Sequence, residues 1–396
     1  MNVSLRGKYN TAEVFTDNVD SKTISQIIEL CNQEFVKDSQ IRIMPDCHAG
    51  KGCVVGTTMT LTDKVVPNMV GIDIGCNMLA TRLEETDIDL KKLDQIVNTK
   101  VPSGADIHER PVAKFSDIKR LIAPVNILKA RCSIGSLGGG NHFIEIDRDK
   151  NGDLWLVIHS GSRHLGIEVC NHYQKRAISV LRKEYISPKI KDAVARLKAE
   201  GKEYDIENTV KIIKMQPQPI PDALCYVSGN DFRDYIHDME IVQRYAVRNC
   251  QTMAEIIIDA MGYHVADQFD TIHNYIDIDN MILRKGSISA QKGERVIIPM
   301  NMRDGSLICI GKGNPDWNYS APHGAGRIMS RSKAKESVDF DVFKESMKGI
   351  YSTSVTESTI SEAPMVYKPM DEIMENIKDT VDVIDAIKPV YNFKSH

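Results

Sequence analysis

Leu154-Trp155-Leu156-Val157-Ile158-His159-Ser160-Gly161-Ser162-Arg163 changes character halfway along. Its first half is an unbroken apolar run of the kind that fits a pleated, buried strand. Its second half puts His159 at the strand's end and Arg163 in the turn that follows. Ser162 and a guanidinium fork at such a place suit phosphate oxygens. The same arrangement recurs. Ile41-Arg42-Ile43-Met44 runs into the cluster Asp46 to Gly56, Arg295 to Ile298 is strand-like, and Leu307 to Ile310 follows the turn Arg303-Asp304-Gly305. Glycine and histidine also gather at Gly71 to Cys76, Gly135 to His142, His273 and Gly311 to Gly326. Loops at strand ends present side chains on a rigid scaffold, so the chemistry is expected in these clusters.

Amphipathic helices are expected between them, over Thr23 to Phe35, over Ser116 to Ile122 where Pro124 stops it, and over Phe232 to Met261. In the last, Phe232, Ile236, Met239, Val242, Ala246, Met253 and Ile257 follow helical spacing, which reads as a core stripe. Arg182 to Lys214 reads as a solvated helical hairpin. With no internal repeat and no low-complexity linker, the chain 1–396 is expected to be one catalytic unit with a helical insertion near 168–215.

Composition narrows the classes. Among 396 residues, 50 Lys+Arg stand against 54 Asp+Glu, a formal charge of -4, so nucleic acid would have to be held by a local basic patch and not by a general coating mode. Nine cysteines without a Cys-x-x-Cys pair point to reduced thiols and exclude zinc-ribbon and thioredoxin-like readings. The start, Met1-Asn2-Val3-Ser4-Leu5-Arg6, has no leader-like apolar run, and no stretch is apolar for the roughly 18 residues a membrane span needs. A soluble, cytoplasmic protein is expected.

Asp73 and Cys76, in Val70-Gly71-Ile72-Asp73-Ile74-Gly75-Cys76, are spaced so that a carboxylate and a thiolate from one tight turn can face the same ion. A thiolate can also bridge two metals. The alternative is a buried structural cysteine beside a turn-forming aspartate. Gly135-Ser136-Leu137-Gly138-Gly139-Gly140-Asn141-His142-Phe143-Ile144-Glu145 lets backbone approach a phosphate or metal-bound ligand closely, with His142 as a candidate ligand and Asn141 as a donor. It lacks the Lys-Ser/Thr ending of an ATPase phosphate loop. His273 supplies a further imidazole. Mixed carboxylate, thiolate and imidazole donors suit Mn, Fe, Co or Zn better than Mg. In Ser320-Ala321-Pro322-His323-Gly324-Ala325-Gly326-Arg327-Ile328-Met329-Ser330-Arg331, small residues leave the His323 imidazole accessible, and a histidine can act as a nucleophile at phosphorus. Arg327 and Arg331 are expected on one helical face, turned to phosphates; the alternative is a helix N-terminus with ordinary surface arginines.

Together these strings resemble the RtcB family of RNA ligases. The match runs in order from Met44-Pro45-Asp46-Cys47-His48-Ala49-Gly50-Lys51-Gly52, through Gly-Gly-Gly-Asn-His, His-Ser-Gly-Ser-Arg, Arg284-Lys285-Gly286 and His-Gly-Ala-Gly-Arg, to Lys394. The resemblance implies a single compact α+β fold with stacked central β-sheets flanked by helices, and two Mn ions. By motif, one ion would be held by Cys76, His142 and His159 and the other by Asp73, Cys76 and His273. His323 would be the guanylylated nucleophile. Asn141, Ala325, Gly326 and Arg327 would hold nucleotide phosphates, Glu145, Ser306 and Lys394 would read the guanine, and Arg163 and Arg331 would contact RNA phosphates. The implied reaction begins with attack of His323 on GTP, passes guanylate to an RNA 3′-phosphate, itself supplied where needed from a 2′,3′-cyclic phosphate, and ends with attack by a 5′-hydroxyl and release of GMP. The resemblance also leaves room for a protein activator.

The sequence departs from the family pattern at Asn77, where a glycine usually follows the cysteine, and at Met300-Asn301-Met302-Arg303-Asp304, which replaces a glycine-richer segment. These departures suggest a branch specialised for RNA repair over general tRNA splicing. Asp46, His48 and Lys51 are expected to support the site or touch an RNA end. His108, His164, His172, His237, His264 and His396, and Cys31, Cys132, Cys170, Cys225, Cys250 and Cys309, match no ligand position. Two other readings stay open: a dinuclear metal phosphoesterase or nuclease, and a non-catalytic RNA-binding paralogue.

Overall fold

The structure, a computed structural model, describes residues 3–395, so His396 lies outside the described residues. The apolar run that opens the sequence reading is the strand Leu154–Ser160, buried along its whole length. It pairs with Phe143–Arg148 on one side and with Cys76–Leu83 on the other. From edge to edge the sheet runs Val3–Arg6, Thr11–Val14, Ile41–His48, Val55–Thr60, Ile282–Ser289, Val265–Asp277, Cys76–Leu83, Leu154–Ser160, Phe143–Arg148, Val381–Lys394, Gly305–Gly311 and Arg295–Asn301, with Ser320–Pro322 added against Ile282–Ser289. The pairing is antiparallel except between Thr11–Val14 and Ile41–His48.

Side chains alternate across a strand, and both faces here are covered. Leu79 and Leu83 join Ile144, Leu156 and Ile158 beneath the helix Gly229–Met261, which contributes Cys250, Met253 and Ile257. Met78 and Ala80 point the other way and meet Val157, Ile297, Ile308 and Ile387. That second core exists because the far end of the sheet folds back on its centre. The Ile297 amide donates to Thr271 Oγ1 at 3.0 Å, and Arg295 pairs with Asp267. The result is the mixed fold of stacked sheet layers flanked by helices that the resemblance implies. Each large aliphatic side chain so buried contributes about 1.5–3 kcal/mol, before the entropy cost of ordering the chain.

Element boundaries differ from expectation for local reasons. The first helix, Ser21–Cys31, is capped by Asp20 and ends before Asn32; Phe35 sits in the separate tight turn Glu34–Val36. Ser116–Arg120 is a 3₁₀ turn. The long helix begins at Gly229 and is closed by Gly262 in the left-handed conformation, φ 76°. The strand expected to end at Met44 continues through Pro45 to His48, with a register irregularity between Ile43 and His48 that accommodates proline's missing N–H. Helices Arg163–Ala199 and Ile206–Met215 pack through Ile186, Ala193 and Ile213. All nine cysteines are free and buried. Among the described residues, no helix is long and apolar enough to cross a membrane.

Candidate functional site

Strand register brings distant residues to one point. Cys76 opens its strand directly opposite His273, and Met78, its neighbour on the same face, lies opposite His159. The Cys76 thiol is 3.2 Å from His159 Nε2 and 3.6 Å from His142 Nε2, and His142 Nε2 is 3.1 Å from Asp73 Oδ2. Two groups of donor atoms result, Cys76, His159 and His273 in one and Asp73, Cys76 and His142 in the other, each within 4.8 Å. Cys76 is common to both groups, and by proximity alone His273 stands with His159 and His142 with Asp73. His273 goes with His159 because their strands flank that of Cys76 on either side. His142 goes with Asp73 because both sit on loops at the strand ends.

The donor set fits metal ions. A carbonyl oxygen can only accept, so His142 Nδ1 donates to Leu137 O at 2.8 Å, leaving Nε2 with a lone pair directed at Asp73 and Cys76. His273 is buried and its Nδ1 has no protein partner. Burial, reinforced by neighbouring imidazoles, holds both His159 and His273 well below the ordinary histidine range, so they are neutral and able to ligate. Burial and the nearby Asp73 charge push the Cys76 thiol up, a cost that a bound cation would reverse. Asp73 fits only because residue 161 is glycine: a Cβ there would lie 2.1 Å from Asp73 Oδ1.

His323 follows the strand Ser320–Pro322, its ring centroid 5.0 Å from that of His273. Ring contacts continue from His273 to His159 and from His159 to His142, each at 5.2 Å, so four imidazoles form one row. His323 Nδ1 lies 2.7 Å from Asp46 Oδ2, and Asp46 is completely buried. A carboxylate at Nδ1 leaves Nε2 as the free nitrogen.

Asp73, Cys76, His159, His273 and His323 border a cavity of about 360 Å³ whose wall also includes His48, Lys51, Asn141, Glu145, Lys285, Ala325, Gly326, Arg327, Arg331 and Lys394. The volume suits a mononucleotide-sized ligand. Arg327 and Arg331 do not share a helical face. The helix starts only at Arg331, while Arg327 lies in extended chain bridged to Tyr367. What joins them is Glu362: its Oε1 is 3.3 Å from Arg327 Nη1 and 3.1 Å from Arg331 Nε, and its Oε2 is 3.2 Å from Lys394 Nζ. Burial works to raise Glu362, but the surrounding cations win and hold it at about 2. Sequence reading missed Glu362, since Glu357-Ser358-Thr359-Ile360-Ser361-Glu362 carries no glycine or histidine signal. It also left Asp46 without a specific role.

Asn77 and Ser306 are buried without hydrogen bonds to their side chains, and Ser306 stands beside Gly305 at the cavity rather than in its wall. Met300, Asn301 and Met302 do line it, so that departure from the family pattern falls on the pocket itself. Arg163 lies on the other side of the metal donors. Its guanidinium donates to Ser136 Oγ and Gly104 O, and it lines a second groove of about 390 Å³ with Lys129, Asn141, His142 and Asp73.

Comparison with known proteins yields a match of residues 26–126 and 126–395 to the family model described as tRNA-splicing ligase RtcB. The RNA-splicing ligase RtcB of Escherichia coli K12 is 28% identical, over 94% of this chain and 94% of that protein. The tRNA-splicing ligase RtcB of Aeropyrum pernix is 25% identical, over 89% and 87%. The RNA-splicing ligase RtcB of Mycobacterium tuberculosis is 26% identical, over 61% and 60%.

Proposed function

The chain belongs to the RtcB family and is an RNA ligase, and from that premise we propose that it joins RNA 3′-phosphate or 2′,3′-cyclic phosphate ends to 5′-hydroxyl ends, using GTP and Mn, through guanylate carried on His323. The observation that carries this reading is the orientation of His323. With Nδ1 held by Asp46, Nε2 is the nitrogen free to attack, and it stands in the row of imidazoles beside the metal donors.

Asp73, Cys76, His142, His159 and His273 would hold two ions, which when bound supply positive charge for phosphoryl oxygens. The rest falls to the protein's own groups. His323 Nε2 forms the bond to the α-phosphorus of GTP as the bond to pyrophosphate breaks, and the Nδ1 proton stays on the Asp46 side, so the imidazolium is stabilised as it forms. Asn141, the main chain at Ala325 and Gly326, and Arg327 accompany the phosphates. Glu145 and Lys394, which line the cavity, read the base, with Ser306 behind the wall beside Gly305. The guanylate then passes to the RNA 3′-phosphate, and the 5′-hydroxyl displaces GMP. Arg331, half-exposed at the cavity rim, and Arg163, in the groove beyond the donors, would meet RNA phosphates. The helices over 168–215 are read as an insertion in one catalytic unit, and the nine free thiols favour a reducing cytoplasm.

The test is incubation with Mn and α-labelled GTP beside a His323→Ala variant. Label retained on denatured wild type and absent from the variant is the expected result. No label on either, with metal bound, would overturn the mechanism and favour a metal phosphoesterase.

A further inference from the structure

We propose that the protonation state of Glu145 decides which purine the pocket takes: the ionised carboxylate reads guanine and the neutral acid reads adenine. The inference rests on the reading of Glu145 as the base-reading group and goes beyond it to the basis of base choice. Guanine presents two N–H donors side by side, at N1 and N2, which call for an acceptor-only carboxylate. Adenine presents an N6–H donor beside the N1 acceptor, which calls for one acceptor and one O–H donor. A carboxyl group supplies the first pattern when ionised and the second when protonated.

The surroundings of Glu145 allow both states. It is 2% exposed, lines the cavity, and takes a hydrogen bond on Oε1 from Asn392 Nδ2. The obvious counter-ion is engaged elsewhere, since Lys394 Nζ lies 3.2 Å from Glu362. Asn392 Nδ2 can donate to Oε1 whether Glu145 is ionised or neutral, so a proton on Oε2 stays free to face the cavity. Two residues along the same strand, Asp147 is completely buried with neither carboxylate oxygen bonded. Burial and the Glu145 charge push Asp147 well up. The other charged or titratable groups nearby are His159 on the adjoining strand and Lys394 with Glu362 behind it. Burial, partly offset by Asn392 and Lys394, raises Glu145 to about 7, which puts the exchange within an accessible range.

The experiment compares initial rates of protein labelling by α-labelled GTP and α-labelled ATP between pH 6 and pH 8, together with equilibrium binding of GMP and AMP over the same range. Taking ratios cancels every group that both nucleotides share. The expected GTP-to-ATP ratio falls by about tenfold per pH unit on acidification, and the binding ratio moves with it. Glu145→Gln, a fixed donor and acceptor, is expected to prefer adenine at every pH. A wild-type ratio that does not change with pH, or a folded Gln variant that still prefers guanine, would overturn the proposal. Absence of labelling with a binding ratio that still moves with pH would instead refute the guanylyl-histidine reading and leave this one standing.

Discussion

His323 Nδ1 and Asp46 Oδ2 meet at 2.7 Å although the two residues are 277 positions apart in the chain. Asp46 is completely buried and its second oxygen has no partner, so its one visible bond is to this ring. The contact selects the tautomer that frees Nε2. Asp46→Asn keeps the shape and removes the charge. Guanylylation is expected to slow by roughly 10²–10⁴-fold with the fold retained. Labelling rate and a thermal melt are measured together, and an unchanged rate would remove Asp46 from the reaction.

Cys76 belongs to both donor groups, so its loss should be felt by both ions. Wild type is expected to bind about two Mn per chain, and Cys76→Ser well under one at the same free metal, because serine keeps its proton where a thiolate would ligate. Metal content after gel filtration checks this. Retention of both ions by the variant would show that the thiol is structural.

Gly161→Ala tests the same centre from behind. The added Cβ would sit 2.1 Å from Asp73 Oδ1, so the carboxylate must move. Binding of an ion that depends on Asp73 should weaken while one that does not stays, an expected loss of about one equivalent with little change in secondary structure. Loss of both ions would mean that the two groups are not separable.

Glu362 makes a prediction about pH. Its folded value of about 2 lies below its ordinary 4.5. A carboxyl with a depressed value stabilises the fold above the ordinary value, and that contribution fades as pH falls from 4.5 towards 2. Glu362→Gln should cost about 3 kcal/mol at neutral pH, since it leaves Arg327 and Lys394 without their anion, and the difference from wild type should shrink on acidification through that window. Denaturant titrations at several pH values decide it. A difference independent of pH would show that Glu362 is not the titrating anion.

Arg327 and Arg331 share Glu362 but differ in exposure: their side chains are 12% and 51% exposed. Arg331→Ala is expected to leave guanylylation intact and to slow joining of RNA ends by about tenfold, whereas Arg327→Ala should slow both. Separate assays of labelling and joining distinguish the two roles. Equal effects on both steps from Arg331→Ala would place it with the nucleotide.

The kinds of group at the site were legible from residue types alone. Aspartate, cysteine and histidine in glycine-rich loops at strand ends have few purely structural uses in such density, and the strand Leu154–Ser160 and the helix Gly229–Met261 followed from local apolar patterns. Local spacing could also join Asp73 to Cys76, because one tight turn holds both. It could not say that His273 stands with His159 and His142 with Asp73. That depends on which strands flank Cys76–Leu83 and in what register, and register is set by how whole faces bury against each other. Nor could it show Glu362 gathering Arg327, Arg331 and Lys394, or Asp46 holding His323. Those side chains come from separate segments, and only the closing of the sheet layers over the cavity brings them within hydrogen-bonding distance.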